Sequence, residues 1–137
     1  MGDLEQFIST LNSSGPWDII CLQEAGHHDH DIDMRVRSHR LLMYKRELGA
    51  QSVGFLIHER WADSVFRHRG LGRVAFCDLH AGARTMRAIT AHMPTTTHDD
   101  QEYIDVLSNM IEVKPPRHYM SFWGIDANAT KIGRAHV

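Results

Sequence analysis

A chain of 137 residues, 42% hydrophobic and 23% charged, has the composition of one globular domain with its own core; it is short for two, and a wholly disordered or fibrous chain is excluded. With 15 basic against 17 acidic residues the formal charge is -2, so a globally basic nucleic-acid- or membrane-binding protein is excluded and any basic surface must be local. No apolar run approaches the roughly 20 residues of a membrane span, and the N-terminus lacks the regions of a signal peptide, so an intracellular or nuclear location with no membrane partner is expected.

In chain order, Leu4, Phe7, Ile8 and Leu11 recur at helical spacing until Asn12-Ser13-Ser14 and the breaker pair Gly15-Pro16, which predicts a short amphipathic helix. Asp18 to Leu22 is a compact apolar run with β-branched residues, a strand buried on both faces, ending at Gln23-Glu24. Ala25 to Arg37 is crowded with His, Asp and Arg and reads as a solvated loop or frayed helix. Arg40 to Tyr44 and Ser52 to Ile57 read as strands joined in a hairpin, and Val74 to Leu79 and Thr85 to Ala91 as a second pair turning at Ala81-Gly82-Ala83. Thr97, with Asp100 three places on, opens a helix whose stripe is Ile104, Leu107 and Ile111, stopped by Pro115-Pro116. Tyr119 to Gly124 is then a strand that delivers Ile125 to Asn128 at its end. Trp61 and Trp123 are expected in the core. Cys21 and Cys77 lie in apolar surroundings without metal-type spacing, so they are expected buried and reduced.

Two places set acidic or amide side chains just past an apolar strand: Glu24, and Asp126 with Asn128. A strand end fixes a side chain's origin and leaves its tip in solvent, which suits a carboxylate holding a hard cation through oxygen. Taken alone, a polar residue after a strand is more often only a turn. The cluster from His27 to Asp33 could ligate a metal through imidazole and carboxylate, but neighbours on one loop rarely converge on an ion, and a solvated loop explains them. Arg35, Arg37, Arg40, Lys45 and Arg46 form one local basic stretch, and Arg67, Arg69 and Arg73 another; either could track a phosphate backbone, and a solvated face is the simpler reading.

The ordered set of these segments resembles the endonuclease/exonuclease/phosphatase superfamily over about residues 4 to 131. Trp17 to Glu24 is similar to its first signature, an apolar strand ending in Leu-Gln-Glu; Ser52 to Ile57 to the Gly-containing strand that follows; Ala91-His92-Met93-Pro94-Thr95 to the phosphate-contacting segment; and Gly124 to Ala129 to its Gly-Asp-Phe-Asn-Ala turn. Met93-Pro94-Thr95 before an acidic helix is most similar to the apurinic-endonuclease-like domain of LINE-type retrotransposons. The resemblance implies that Glu24 binds Mg2+ (or Mn2+), Asp126 orients the attacking water, Asn128 steadies the phosphate or that water, and His92 touches the scissile phosphate. It implies a phosphodiesterase acting on DNA. Phosphoinositide phosphatases, sphingomyelinases and deadenylases share the signatures and are the alternatives, as is a non-catalytic remnant of the same fold.

Three departures qualify the resemblance. The first strand of the relatives, with its metal-placing Asn, has no counterpart before the opening helix. Their Gly-Asp becomes Gly124-Ile125-Asp126, one residue longer. Nothing after Asn128 corresponds to their terminal Asp-His pair. The expected architecture is therefore α/β: half of the four-layer sandwich, one mixed, mostly antiparallel sheet with helices on one face and the inner apolar face open to water. Residues 1–131 are expected to form a truncated domain, inactive in isolation. Ile132 to Val137 matches one reading frame of a common sequencing adapter and is expected to be a non-native tail.

Overall fold

The computed structural model describes residues 2–23, 30–45, 52–94 and 100–126. It opens with helix α1 (Gly2–Ser14), which stops at Gly15, whose φ of 127° suits a residue without a Cβ. Four strands then form the first sheet: β1 (Ile19–Leu22), β2 (Ile32–Val36), β3 (His39–Tyr44) and β4 (Val53–Ile57), in the order β1-β4-β3-β2, all antiparallel. A one-turn helix α2 (Glu59–Ala62) leads into β5 (Val65–Leu71), β6 (Val74–Ala81) and β7 (Arg84–His92), an antiparallel meander. Helix α3 (Asp100–Glu112) carries the chain back so that β8 (Met120–Asp126) lies parallel to β7, the crossover that a parallel pair requires.

The chain is thus α/β with mostly antiparallel strands, as expected, but its strands divide into two four-stranded sheets where one was predicted. The physical reason is alternation. Leu42, Tyr44, Val53, Phe55 and Ile57 of the first sheet point at Ala75, Cys77, Leu79 and Ala88 of the second, and together form a core between them. The opposite faces carry their own apolar rows: Leu41, Met43 and Leu56 pack with Ile8 of α1, while Val74, Phe76, Ile89 and Ala91 pack with Val106 and Val113 at α3. Helices therefore cover both outer faces, not one, and the inner face that was expected to be open is closed by the second sheet. Each fully buried Leu, Ile or Phe of this core contributes about 1.5–3 kcal/mol.

Ala25 to Arg37 does not end as loop: its last part is β2, hairpinned to β3 through Arg37 and Ser38, both at positive φ. The predicted stripe of α3 also turns out differently. Ile104, Leu107 and Ile111 are exposed, and Val106, with half-buried Met110, faces the sheet. Trp61 packs at the inter-sheet core, whereas Trp123, expected inside, is exposed on the edge strand β8. Both cysteines are free; Cys77 is buried and Cys21 half-buried, and burial pushes each thiol up to about 12. Thr97, Asn128 and the tail 132–137 lie outside the described residues. Among the described residues no helix is long and apolar enough to cross a membrane.

Candidate functional site

The carboxyl ends of β1, β7 and β8 meet at one end of the sandwich. Gln23, one residue past β1, donates from Nε2 to Thr90 Oγ1 of β7 at 2.6 Å and to the Gly124 carbonyl of β8 at 3.0 Å. Thr90 is fully buried, and its hydroxyl donates in turn to the Leu22 carbonyl at 3.4 Å. Cys21 donates to the Ile89 carbonyl, with sulfur and oxygen 3.7 Å apart, and packs so closely on Gly124 that a Cβ there would stand 2.6 Å from Cys21 Cβ and 2.7 Å from its Sγ. A glycine is needed at this crossing for room, not for backbone freedom.

The parallel register sets His92 beside Asp126, two residues past Thr90 and Gly124 respectively. Of the predicted site residues, His92 is therefore adjacent in the sheet to the backbone of Asp126, and Glu24 follows directly on Gln23 in the chain. Glu24 and Asn128 lie outside the described residues, and of Asp126 only the backbone is described. Among the described residues no group of three or more His, Cys, Asp or Glu side chains is placed to hold a metal ion.

His92 is buried, and its Nδ1 lies 3.2 Å from Arg73 Nη1. A guanidinium only donates, so Nδ1 accepts, and the proton of the ring sits on Nε2. Arg73 is itself buried and held by Glu102 of α3, with Nη2 to Oε1 at 2.7 Å and Nε to Oε1 at 3.0 Å. Expected on a solvated basic face, Arg73 lies instead in the turn just before β6, behind the histidine. Arg67 and Arg69 do remain exposed on the edge strand β5. In the other basic stretch Arg35 pairs with Asp63, Arg37 with Glu5 and Arg40 with Asp33.

A polar cavity of about 790 Å³ opens beside this end, lined among others by Asp31, Tyr44, Lys45, Arg73, Glu102 and Asn109. Tyr44 Oη lies 2.8 Å from His68 Nδ1, and burial pushes the phenol's pKa up, so Tyr44 stays protonated. Burial also lowers His68, which favours the neutral ring.

Gln23, Thr90 and the Arg73-Glu102 pair were missed as site residues. Gln23 stood inside the Leu-Gln-Glu segment, and Glu102 in the first turn of a helix after His92, but neither position advertises a partner. Compared with known protein families and with curated proteins, the sequence matches none.

Proposed function

We propose that the chain carries the metal-binding and phosphate-contacting part of a Mg2+- or Mn2+-dependent phosphodiesterase, of the kind found in the endonuclease/exonuclease/phosphatase superfamily it resembles, with DNA as substrate. The observation that supports this is the junction at Gln23, whose amide joins the end of β1 to Thr90 and to the Gly124 carbonyl. Glu24 and Asp126 leave from those two strand ends, about a hundred positions apart in sequence, with His92 between β6 and β8 in the same sheet.

The donor set fits a hard cation: carboxylates at 24 and 126 and an amide at 128 are all oxygen donors. Glu24 would hold the ion, and Asp126 with Asn128 would orient the attacking water against the phosphate. The ion's contribution when bound is to offset negative charge on a phosphate oxygen. The resemblance gives the phosphate contact to His92, whose ring is oriented by the Arg73 guanidinium 3.2 Å from its Nδ1.

Mn2+ binding followed by electron paramagnetic resonance, with Mg2+ as competitor, tests the reading. The chain should bind Mn2+, Glu24→Gln should weaken it at least about ten-fold without loss of fold, and any Mg2+-dependent nicking of supercoiled plasmid should vanish in the same variant. Equal Mn2+ affinity in the variant ends the proposal.

A further inference from the structure

We infer that Gln23 is a positioning residue, the clamp that holds the strand ends bearing Glu24 and Asp126 at a fixed separation; its purpose rests on the metal-site reading above. The packing between the sheets changes character along β1. Along the middle of the sandwich the sheets meet through apolar side chains such as Leu42, Phe55, Ile57, Leu79 and Ala88. At the carboxyl end of β1 the seam changes to an amide and a hydroxyl, Gln23 and Thr90, with Thr90 wholly buried.

An apolar pair would fill this seam at lower desolvation cost, because a buried amide or hydroxyl is penalised unless it is bonded. What the polar pair adds is direction. Packing side chains can slide along a seam, but Gln23 meets two acceptors on two strands, and Thr90 returns a bond to Leu22, the residue before it. The chain of bonds runs from the Gly124 carbonyl through the Gln23 amide and Thr90 hydroxyl to the Leu22 carbonyl. It links one edge strand of the first sheet to two strands of the second, with Cys21 seated on Gly124 as the stop that sets their distance. Neighbours that orient a metal ligand affect ion affinity by about 10–100-fold without touching the ion.

Four variants test this in the full chain: Gln23→Leu, Thr90→Val, Thr90→Ser and the double variant Q23L/T90V, each checked for fold by circular dichroism. Two quantities are read, Mn2+ affinity and the amide exchange rates of Leu22, Gln23 and Gly124 to Asp126. Gln23→Leu and Thr90→Val should each weaken Mn2+ about ten-fold and quicken exchange at those amides about ten-fold, with the centres of β3 and β6 unchanged. Thr90→Ser, which keeps the hydroxyl, should match the parent, and the double variant should be no worse than Gln23→Leu, since both break one chain of bonds. Should Gln23→Leu not fold, the nearly isosteric Thr90→Val carries the same test. Folded variants with parental affinity and parental exchange would overturn the inference, as would a Thr90→Ser as damaging as Thr90→Val, which would make packing the cause. A parent chain that binds no Mn2+, yet whose strand-end exchange responds to Gln23→Leu, supports the clamp and refutes the metal reading.

Discussion

The two ends of the seam between β1 and β8 are built on opposite rules. At the carboxyl end the strands are locked: Gln23 is bonded across to Thr90 and Gly124, and the sulfur of Cys21 sits where any side chain at 124 would need to go. At the amino end the same sheets gape, leaving an apolar cavity of about 370 Å³ lined by Trp17, Ile19, Trp61, Leu79, Met86 and Phe122, among others. The cavity has no comparable polar cross-link from β1 to β8 among the described residues; its one carboxylate, Asp18, turns to Arg60 and Trp61 of α2. Hydrophobic contact is non-directional, so it brings two sheets together without fixing every part of their spacing. Directional bonds fix spacing, and they occur at the end where the candidate site lies.

The contrast predicts that adding one methyl group at the locked end costs more than removing a whole side chain at the open one. Gly124→Ala drives a Cβ against Cys21 Cβ, an atom attached directly to the backbone that cannot swing away. Overpacking of this kind costs about 1–3 kcal/mol, and the upper part of that range is expected here. In a urea-denaturation cycle, Cys21→Gly combined with Gly124→Ala should destabilise less than the two single changes summed. A Gly124→Ala variant with parental stability would mean that the strands are not held at this distance. Met86→Ala, at the open end, should cost only about 1 kcal/mol, below the 2–5 kcal/mol of an enclosed site, because the half-buried methionine already borders open space. A loss as large as that at Gly124 would show the amino end to be as tightly built as the other.

Much of the architecture was legible wherever a segment is apolar on its own account. Ile19 to Leu22, Val53 to Ile57 and Val74 to Leu79 are strands because burial rewards every second side chain, or every one, and that pattern is written locally. Two of the four edge strands, β2 and β5, were not legible. β2 carries Asp33 and Arg35, and β5 carries Arg67, His68 and Arg69; charge is what an edge strand uses to discourage further pairing, and it makes a strand look like a loop. The β2–β3 turn added to this, since a tight hairpin with two positive φ angles usually announces itself with Asn or Gly and here uses Arg37 and Ser38. On α3 two apolar stripes compete, and nothing in the helix itself says that Val106 and Met110 face inward while Ile104 and Leu107 do not. The division into two sheets was hidden for the same reason, because it depends on which faces meet. At the site, His92 and the strand ends could be named from sequence. Gln23 could not be named as a clamp, because its partners are 67 and 101 residues away and a bond of that span leaves no local trace.

The smallest effect expected along the seam is electrostatic, at the open end. Asp18 Oδ1 accepts from Trp61 Nε1 at 2.8 Å and from Arg60 Nη2 and Nε at 2.8 and 3.0 Å, and these hydrogen bonds hold its carboxyl below the ordinary carboxylate value. A carboxyl whose folded pKa is depressed adds stability that is fully present above its unfolded value, near 3.9, and is lost as pH falls through the folded one. Asp18→Asn keeps the shape and removes the charge. Parent and variant should therefore differ by a constant amount from about pH 8 to pH 5, and the gap should close as the pH drops below about 4. With 63% of the aspartate side chain exposed, solvent screens the pair and the plateau should stay under about 1 kcal/mol. Added salt should shrink it further, since exposed charges are screened over about 10 Å at 0.1 M. Urea denaturation of both proteins across that range supplies the measurement. A gap that persists unchanged well below pH 4 would mean that the open end is held by something other than the charge of this carboxylate.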